Sequence, residues 1–214
     1  MKKYITFFLL SLLCFTSCGQ QNKSVEQTKE VENKTVEQTT EEDKTIEEEQ
    51  TTEQTTEEVT DENGTTYTKS FGTYTVPTGW IESDTYSTKD KFFYVADGTE
   101  QDALPNNISI NMGSNKYSAD DHINFRQAIV QQLAMQLPKD TILNGNGSYT
   151  ANDYVLYTFT FTIQEEDMTL VATQYYIVGD HKYVMIYESV YDGDTEAVDT
   201  IAKNMVDTFT WAEN

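Results

Sequence analysis

Few side chains in this 214-residue chain are of the types that carry out chemistry, and their spacing limits what they can do. The two histidines are His122 and His181, and the two cysteines are Cys14 and Cys18. A Ser/His/Asp site needs a nucleophile on a strained turn and an acid to orient the base, and no Gly-x-Ser-x-Gly stretch occurs. His122 falls in the first turn of an expected helix and His181 in an expected hairpin turn. Both positions favour solvated structural roles over general-base catalysis. No Cys/His cluster has zinc spacing, and no glycine-rich loop with a lysine offers a phosphate cradle. Asp192-Gly193-Asp194-Thr195-Glu196 places oxygen ligands at alternate positions, as a calcium loop begins. Ala197 then stands where such a loop requires Gly, and Lys203 where it requires Glu, so Asp194 reads instead as a helix N-cap. The sequence predicts no catalytic set, no bound metal and no cofactor.

Cys18 is the one residue with an assignable modification. Lys2 and Lys3, the apolar run from Tyr4 to Phe15 and the small residues before Cys18 have the order of an export signal. The run is shorter than the roughly 20 apolar residues of a comfortable membrane span. The junction Phe15-Thr16-Ser17-Cys18 resembles the lipobox of bacterial lipoproteins, with Phe15 in place of the usual aliphatic residue. That resemblance implies removal of residues 1–17 and a thioether-linked diacylglycerol on Cys18. It also implies residence on the extracytoplasmic face of a bacterial cell membrane. Two acyl chains at about 0.8 kcal/mol per buried methylene hold a protein stably, where one chain holds it marginally. The alternative is an ordinary secretory signal or uncleaved anchor with Cys18 incidental. A cleaved chain keeps one thiol and no internal disulfide, so its stability must come from core burial.

Tether and head are both acidic. The formal net charge is -22, shared between a spacer with 4 Lys against 15 acids over 19–63 and a remainder with 8 Lys and Arg against 21 acids over 64–214. No cluster of basic residues is present to displace phosphate counterions, which excludes nucleic acid as a partner. An anionic bilayer would repel such a head, so membrane attachment falls to Cys18. The spacer, 18–63, is rich in Thr, Glu and Gln, and repeats Lys-Ser/Thr-Val/Ile-Glu at Lys23, Lys34 and Lys44. One apolar residue per repeat cannot bury a coiled-coil seam, so the segment reads as a disordered tether. The globular domain is expected over 64–214.

Within it, Tyr67 to Val76, Phe92 to Ala96 and Asn107 to Met112 read as strands. Ser118 is placed as the N-cap of a helix whose apolar face carries Ile123, Ile129, Val130, Leu133 and Leu137. Asn144-Gly145-Asn146-Gly147 reads as a turn. Val155, Tyr157, Phe159, Phe161 and Ile163 then share one face of a long strand, opposite Thr158, Thr160 and Thr162. Short links through Glu166 and Asp180 make Thr169 to Val178 and Tyr183 to Tyr191 its antiparallel neighbours. Asp194 caps a last helix with Val198, Ile201, Ala202, Met205, Val206 and Phe209 at steps of three and four. Seven tyrosines crowd this meander, and at strand positions they read chiefly as packing, with a recognition surface as the other reading.

The order of strands, long helix, three-stranded meander and closing helix, with Tyr74-Thr75-Val76-Pro77-Thr78-Gly79-Trp80 in front and Asp207-Thr208-Phe209 at the end, resembles the PsbP and DcrB-like superfamily. The resemblance implies an α+β fold: an antiparallel sheet of about six strands sandwiched by helices. It further implies binding or assembly roles rather than catalysis, and it transfers no functional residue. Three functions follow in order. The first is a non-catalytic lipoprotein whose head binds or scaffolds a protein partner in the cell envelope. The second is a solute- or cation-binding lipoprotein, and the third an envelope enzyme built on an unpatterned carboxylate pair.

Overall fold

A computed structural model describes residues 57–213. Cys18 and the spacer up to residue 56 lie outside the described residues. Residues 57–63, expected as the end of the tether, instead form a strand and a turn paired with the first strand of the head, so the folded part begins before residue 64. Two antiparallel sheets form. The smaller holds β1 (Glu57–Asp61), β2 (Gly64–Lys69), β3 (Gly72–Pro77) and the short β11 (Thr210–Trp211), in that spatial order. The larger has seven strands in the order β4 (Trp80–Glu82), β5 (Lys91–Ala96), β6 (Asn107–Ser114), β10 (Lys182–Val190), β9 (Met168–Gly179), β8 (Val155–Glu165) and β7 (Leu143–Tyr149). The helices are α1 (His122–Gln136) and α2 (Thr195–Thr208). Among the described residues no helix is long and apolar enough to cross a membrane.

Strands β9 and β10 are buried along nearly their whole length, on both faces, as their unbroken apolar and aromatic content requires. One face carries Ile108, Ile110, Tyr175, Ile177, Val184 and Ile186, and it packs against α2 and the smaller sheet. The opposite face carries Tyr157, Phe159, Phe161, Tyr176, Tyr183 and Met185, and it packs against α1. The expected antiparallel sheet between helices therefore stands, with seven strands rather than about six. A second sheet shares the α2 side. That sheet is joined to the larger one by Lys69 of β2, whose ammonium sits 2.9 Å from Glu82 Oε2 of β4 and 4.0 Å from the Phe92 ring centre.

Three local expectations change. The run from Tyr67 to Val76 is a hairpin of β2 and β3, because Ser70 and Phe71 turn the chain and send the Phe71 ring into the core against Phe92 and Phe209. Gly72 follows at φ +156, where a Cβ would stand 2.2 Å from the Thr210 carbonyl oxygen; that close approach lets β11 pair with β3. The Asn144 to Gly147 turn is instead the middle of strand β7. The rings of Phe159 and Tyr157 on β8 lie across Gly145 and Gly147, where a Cβ would meet ring carbons at 3.1 and 3.0 Å. Those glycines make room for cross-strand rings rather than bend the chain. Lastly, Ser118 opens a 3-10 turn over Ala119–Asp121 without a side-chain cap bond, and α1 begins at His122. The helix turns Phe125, Ile129 and Leu133 inward and leaves Ile123 exposed, because Phe125 reaches the Tyr176 and Tyr183 rings at 5.9 and 5.3 Å.

Helix α2 is capped by Asp194, whose carboxylate accepts from the Ala197 N–H. It buries Val198, Ala202, Met205 and Val206, and Phe209 just beyond its end. At about 1.5 to 3 kcal/mol for each large side chain, Val198, Met205, Val206 and Phe209 together rival the whole net stability of a domain. Truncation before Asp194 should abolish the cooperative thermal transition followed by circular dichroism. A sharp two-state melt of the truncated chain would refute the assignment of α2 to the core.

Candidate functional site

Helix α1 covers only part of its face of the larger sheet. Beyond it, over the β5 side, the sheet opens into a groove of about 210 Å3. Side-chain alternation supplies the walls: Phe93 and Val95 come from β5, Tyr187 and Ser189 from β10, and Leu170 from the start of β9. Ile163 and Met168 close one end from the β8–β9 hairpin, and Tyr191 stands beyond the end of β10. Tyr187 and Leu170 also belong to the core under α1, so the groove floor is the unroofed continuation of that core.

A loop from Asp97 to Asn106 forms the last wall, with Ala103, Leu104 and Pro105 against the groove. The Asn106 side-chain amide fastens it from both ends, donating to Asp192 Oδ1 at 2.7 Å and accepting from the Tyr191 N–H at 2.8 Å. Asn107 adds a bond from its side-chain N–H to the Pro105 carbonyl at 3.1 Å. Leu104 remains 43% exposed at the mouth. The Asn106 bond also holds the Asp192 carboxyl below the usual range, so at neutral pH the clamp is a charge-assisted one.

The chemistry of the lining is that of binding. Its charged groups are the Lys91 ammonium and the Glu165 carboxylate, and it has no imidazole or thiol. Lys91 lies with its ammonium 4.6 Å from the Phe93 ring centre. Burial pushes the Tyr187 and Tyr191 hydroxyls above the ordinary phenol range, so both present neutral O–H groups.

Of the residues singled out in the sequence, Tyr187 and Tyr191 line the groove and the others lie elsewhere. His122 Nδ1 is 2.7 Å from the Tyr157 hydroxyl at the start of α1, and His181 sits exposed in the β9–β10 turn at φ +55. Asp192 and Asp194 serve the loop clamp and the helix cap. Cys18 lies outside the described residues. Among the described residues no group of three or more His, Cys, Asp or Glu gathers as a metal site. Of the crowded tyrosines, Tyr157, Tyr175, Tyr176, Tyr183 and Tyr187 are buried, with Tyr154 and Tyr191 partly so.

One carboxylate cluster escaped sequence reasoning. On the α2 face Glu188 of β10 is 2% exposed, and the Tyr175 hydroxyl lies between it and Asp199 of α2, which also pairs with Lys203. In the strand Met185-Ile186-Tyr187-Glu188-Ser189-Val190, alternation places Glu188 with Ile186 and Val190, and that polar residue in an apolar row was the available signal.

No protein-family model and no curated protein sequence matches the chain. Among solved structures it is similar to LpqN, involved in cell envelope biogenesis of Mycobacterium tuberculosis. The TM-score is 0.51 at 11% identity, over 65% of this chain and 82% of LpqN. It also aligns with cyanobacterial PsbP from Synechocystis, at a TM-score of 0.45 and 13% identity over 73% of this chain and 92% of that one. The LpqN likeness is one of fold.

Burial, and then the nearby Asp199 charge, raises the Glu188 pKa from its ordinary 4.5 to about 7. The folded head therefore holds a proton that the unfolded chain releases near pH 4.5. The stability this contributes is full below about pH 4.5 and is lost as pH rises through about 7, an effect of about 3 kcal/mol. Glu188→Gln should remove that component, and thermal melts of the two proteins should converge in acid and diverge in favour of the variant at neutral pH. Parallel curves would show that folding leaves the Glu188 pKa unshifted.

Proposed function

We propose that the chain is a lipid-anchored extracytoplasmic binding module whose head holds a small, largely apolar ligand in the groove beside α1. The observation that carries this reading is the groove itself. It is lined by aromatic and aliphatic side chains from four strands and walled by a loop that Asn106 ties in place. Small-molecule sites have this composition, an apolar wall with a few placed polar groups. An apolar cavity of about 150 Å3 takes benzene, so about 210 Å3 suits a single ring or a short branched chain. Ser189, Asn107 and the Tyr191 hydroxyl supply polar contacts at one end. The LpqN fold agrees with an envelope setting, and the lipobox resemblance at Cys18 supplies the anchor.

Two measurements test the two halves. Tagged palmitate fed to expressing cells should label the wild-type chain and not Cys18→Ser; equal labelling removes the anchor. For the groove, toluene titrated into the unacylated chain spanning residues 18–214 should shift the Val95, Ile163 and Leu170 methyl resonances saturably. Leu104→Asp, at the exposed mouth, should weaken that binding about tenfold or more by placing a charge in an apolar site. Methyl signals that do not move with toluene would discard the groove as a binding site.

A further inference from the structure

Four strand ends bound the two sheets, and they differ in how open they are to another strand. β4 has three residues and β11 two. β1 carries Glu57, Glu58 and Asp61. β7 is seven residues long, and it pairs with β8 without interruption from Leu143↔Phe161 to Tyr149↔Val155. From Thr141 to Asn152 no charged residue and no proline occurs. The devices that normally block strand addition, which are lysine, proline, a bulge or shortness, are thus missing from β7. Among the described residues nothing pairs its outer edge.

We propose that β7 is a self-association edge, at which a second copy of this chain pairs antiparallel so that the two larger sheets join across a twofold axis. The occupant follows from charge and from the order of side chains. Two acidic heads repel over most of their surfaces, and the uncharged strip from Thr141 to Asn152 is where close approach escapes that repulsion. The strip is self-complementary. With Asn146 on the axis, Leu143 of one copy faces Tyr149 of the other, Asn144 faces Ser148, and Gly145 faces Gly147. Tyr149 and Ile142, 67% and 76% exposed, lie at opposite ends of the edge, so antiparallel pairing brings the apolar ends together. Such a contact is isologous and closes at the dimer rather than growing into a filament.

Sedimentation velocity on the unacylated chain spanning residues 18–214 tests this. The wild type should show a reversible, concentration-dependent dimer. Asn146→Lys sets two like charges face to face on the axis and should weaken it at least about tenfold, with an unchanged melting temperature. Asn146→Cys in a Cys18→Ser background should cross-link to itself on oxidation, while Thr60→Cys on β1 should not. A wild type that stays monomeric up to about 1 mM, leaving the edge to a strand of another protein, overturns the proposal. So does a dimer indifferent to Asn146→Lys.

Discussion

A seven-stranded sheet whose central strands are apolar on both sides has to be covered twice, and most features of this head are consequences of that requirement. β9 and β10 carry Tyr, Val, Ile and Met facing both ways. Left uncovered, either face would expose far more contiguous apolar surface than a soluble domain tolerates. The chain meets the demand asymmetrically. On one side α2 and the smaller sheet together bury Ile110, Ile177 and Ile186 completely. On the other, one helix of 15 residues, about 22 Å long, does the work alone. The unroofed remainder is the groove.

The covering layers are held by a few polar contacts placed inside apolar surroundings. Lys69 is 6% exposed, yet its ammonium is matched by Glu82 and flanked by the rings of Tyr67 and Phe92. A buried cation without such partners would cost several kcal/mol, so the pair fixes how the sheets meet more than it adds stability. The hydroxyls of Tyr74 and Tyr94 meet at 2.7 Å beside it. Trp211 of β11 packs edge-on against Phe209 and lies over Gly179, where a Cβ would come within 2.9 Å of the indole. The end of the chain thereby ties the smaller sheet to the β9–β10 hairpin.

These layers assign different work to the different parts of the surface. The loop from Asp97 to Asn106 is fastened to the segment that leads into α2, so the groove wall and the α2 cover share the Asp192 to Asp194 turn. The carboxylate cluster of Glu188, Tyr175 and Asp199 lies on the α2 face and the groove on the α1 face, so their chemistries are independent. Excess acid elsewhere keeps copies apart and leaves the β7 edge as the uncharged approach.

How much of this is legible in the residues depends on the range of the interaction responsible. The 3.6-residue spacing of Val198, Ala202, Met205 and Val206 and the alternation of Tyr157, Phe159 and Phe161 are local patterns, and α2, β8 and the meander follow from them directly. Glycine is ambiguous, because a turn and a strand lying under a neighbour's ring both call for it. Gly145 and Gly147 are decided by Phe159 and Tyr157 across the ladder. Phe71 looks like one more strand residue until Phe92 and Phe209 draw it into the core. Lipid chemistry at Cys18 can be argued only from sequence, since an export signal is a linear pattern and needs no fold. The groove cannot: it is made where one helix proves narrower than the sheet it covers. Which face of β10 meets that helix is set only when Tyr183 and Tyr187 on one side, and Ile186 and Glu188 on the other, find their partners.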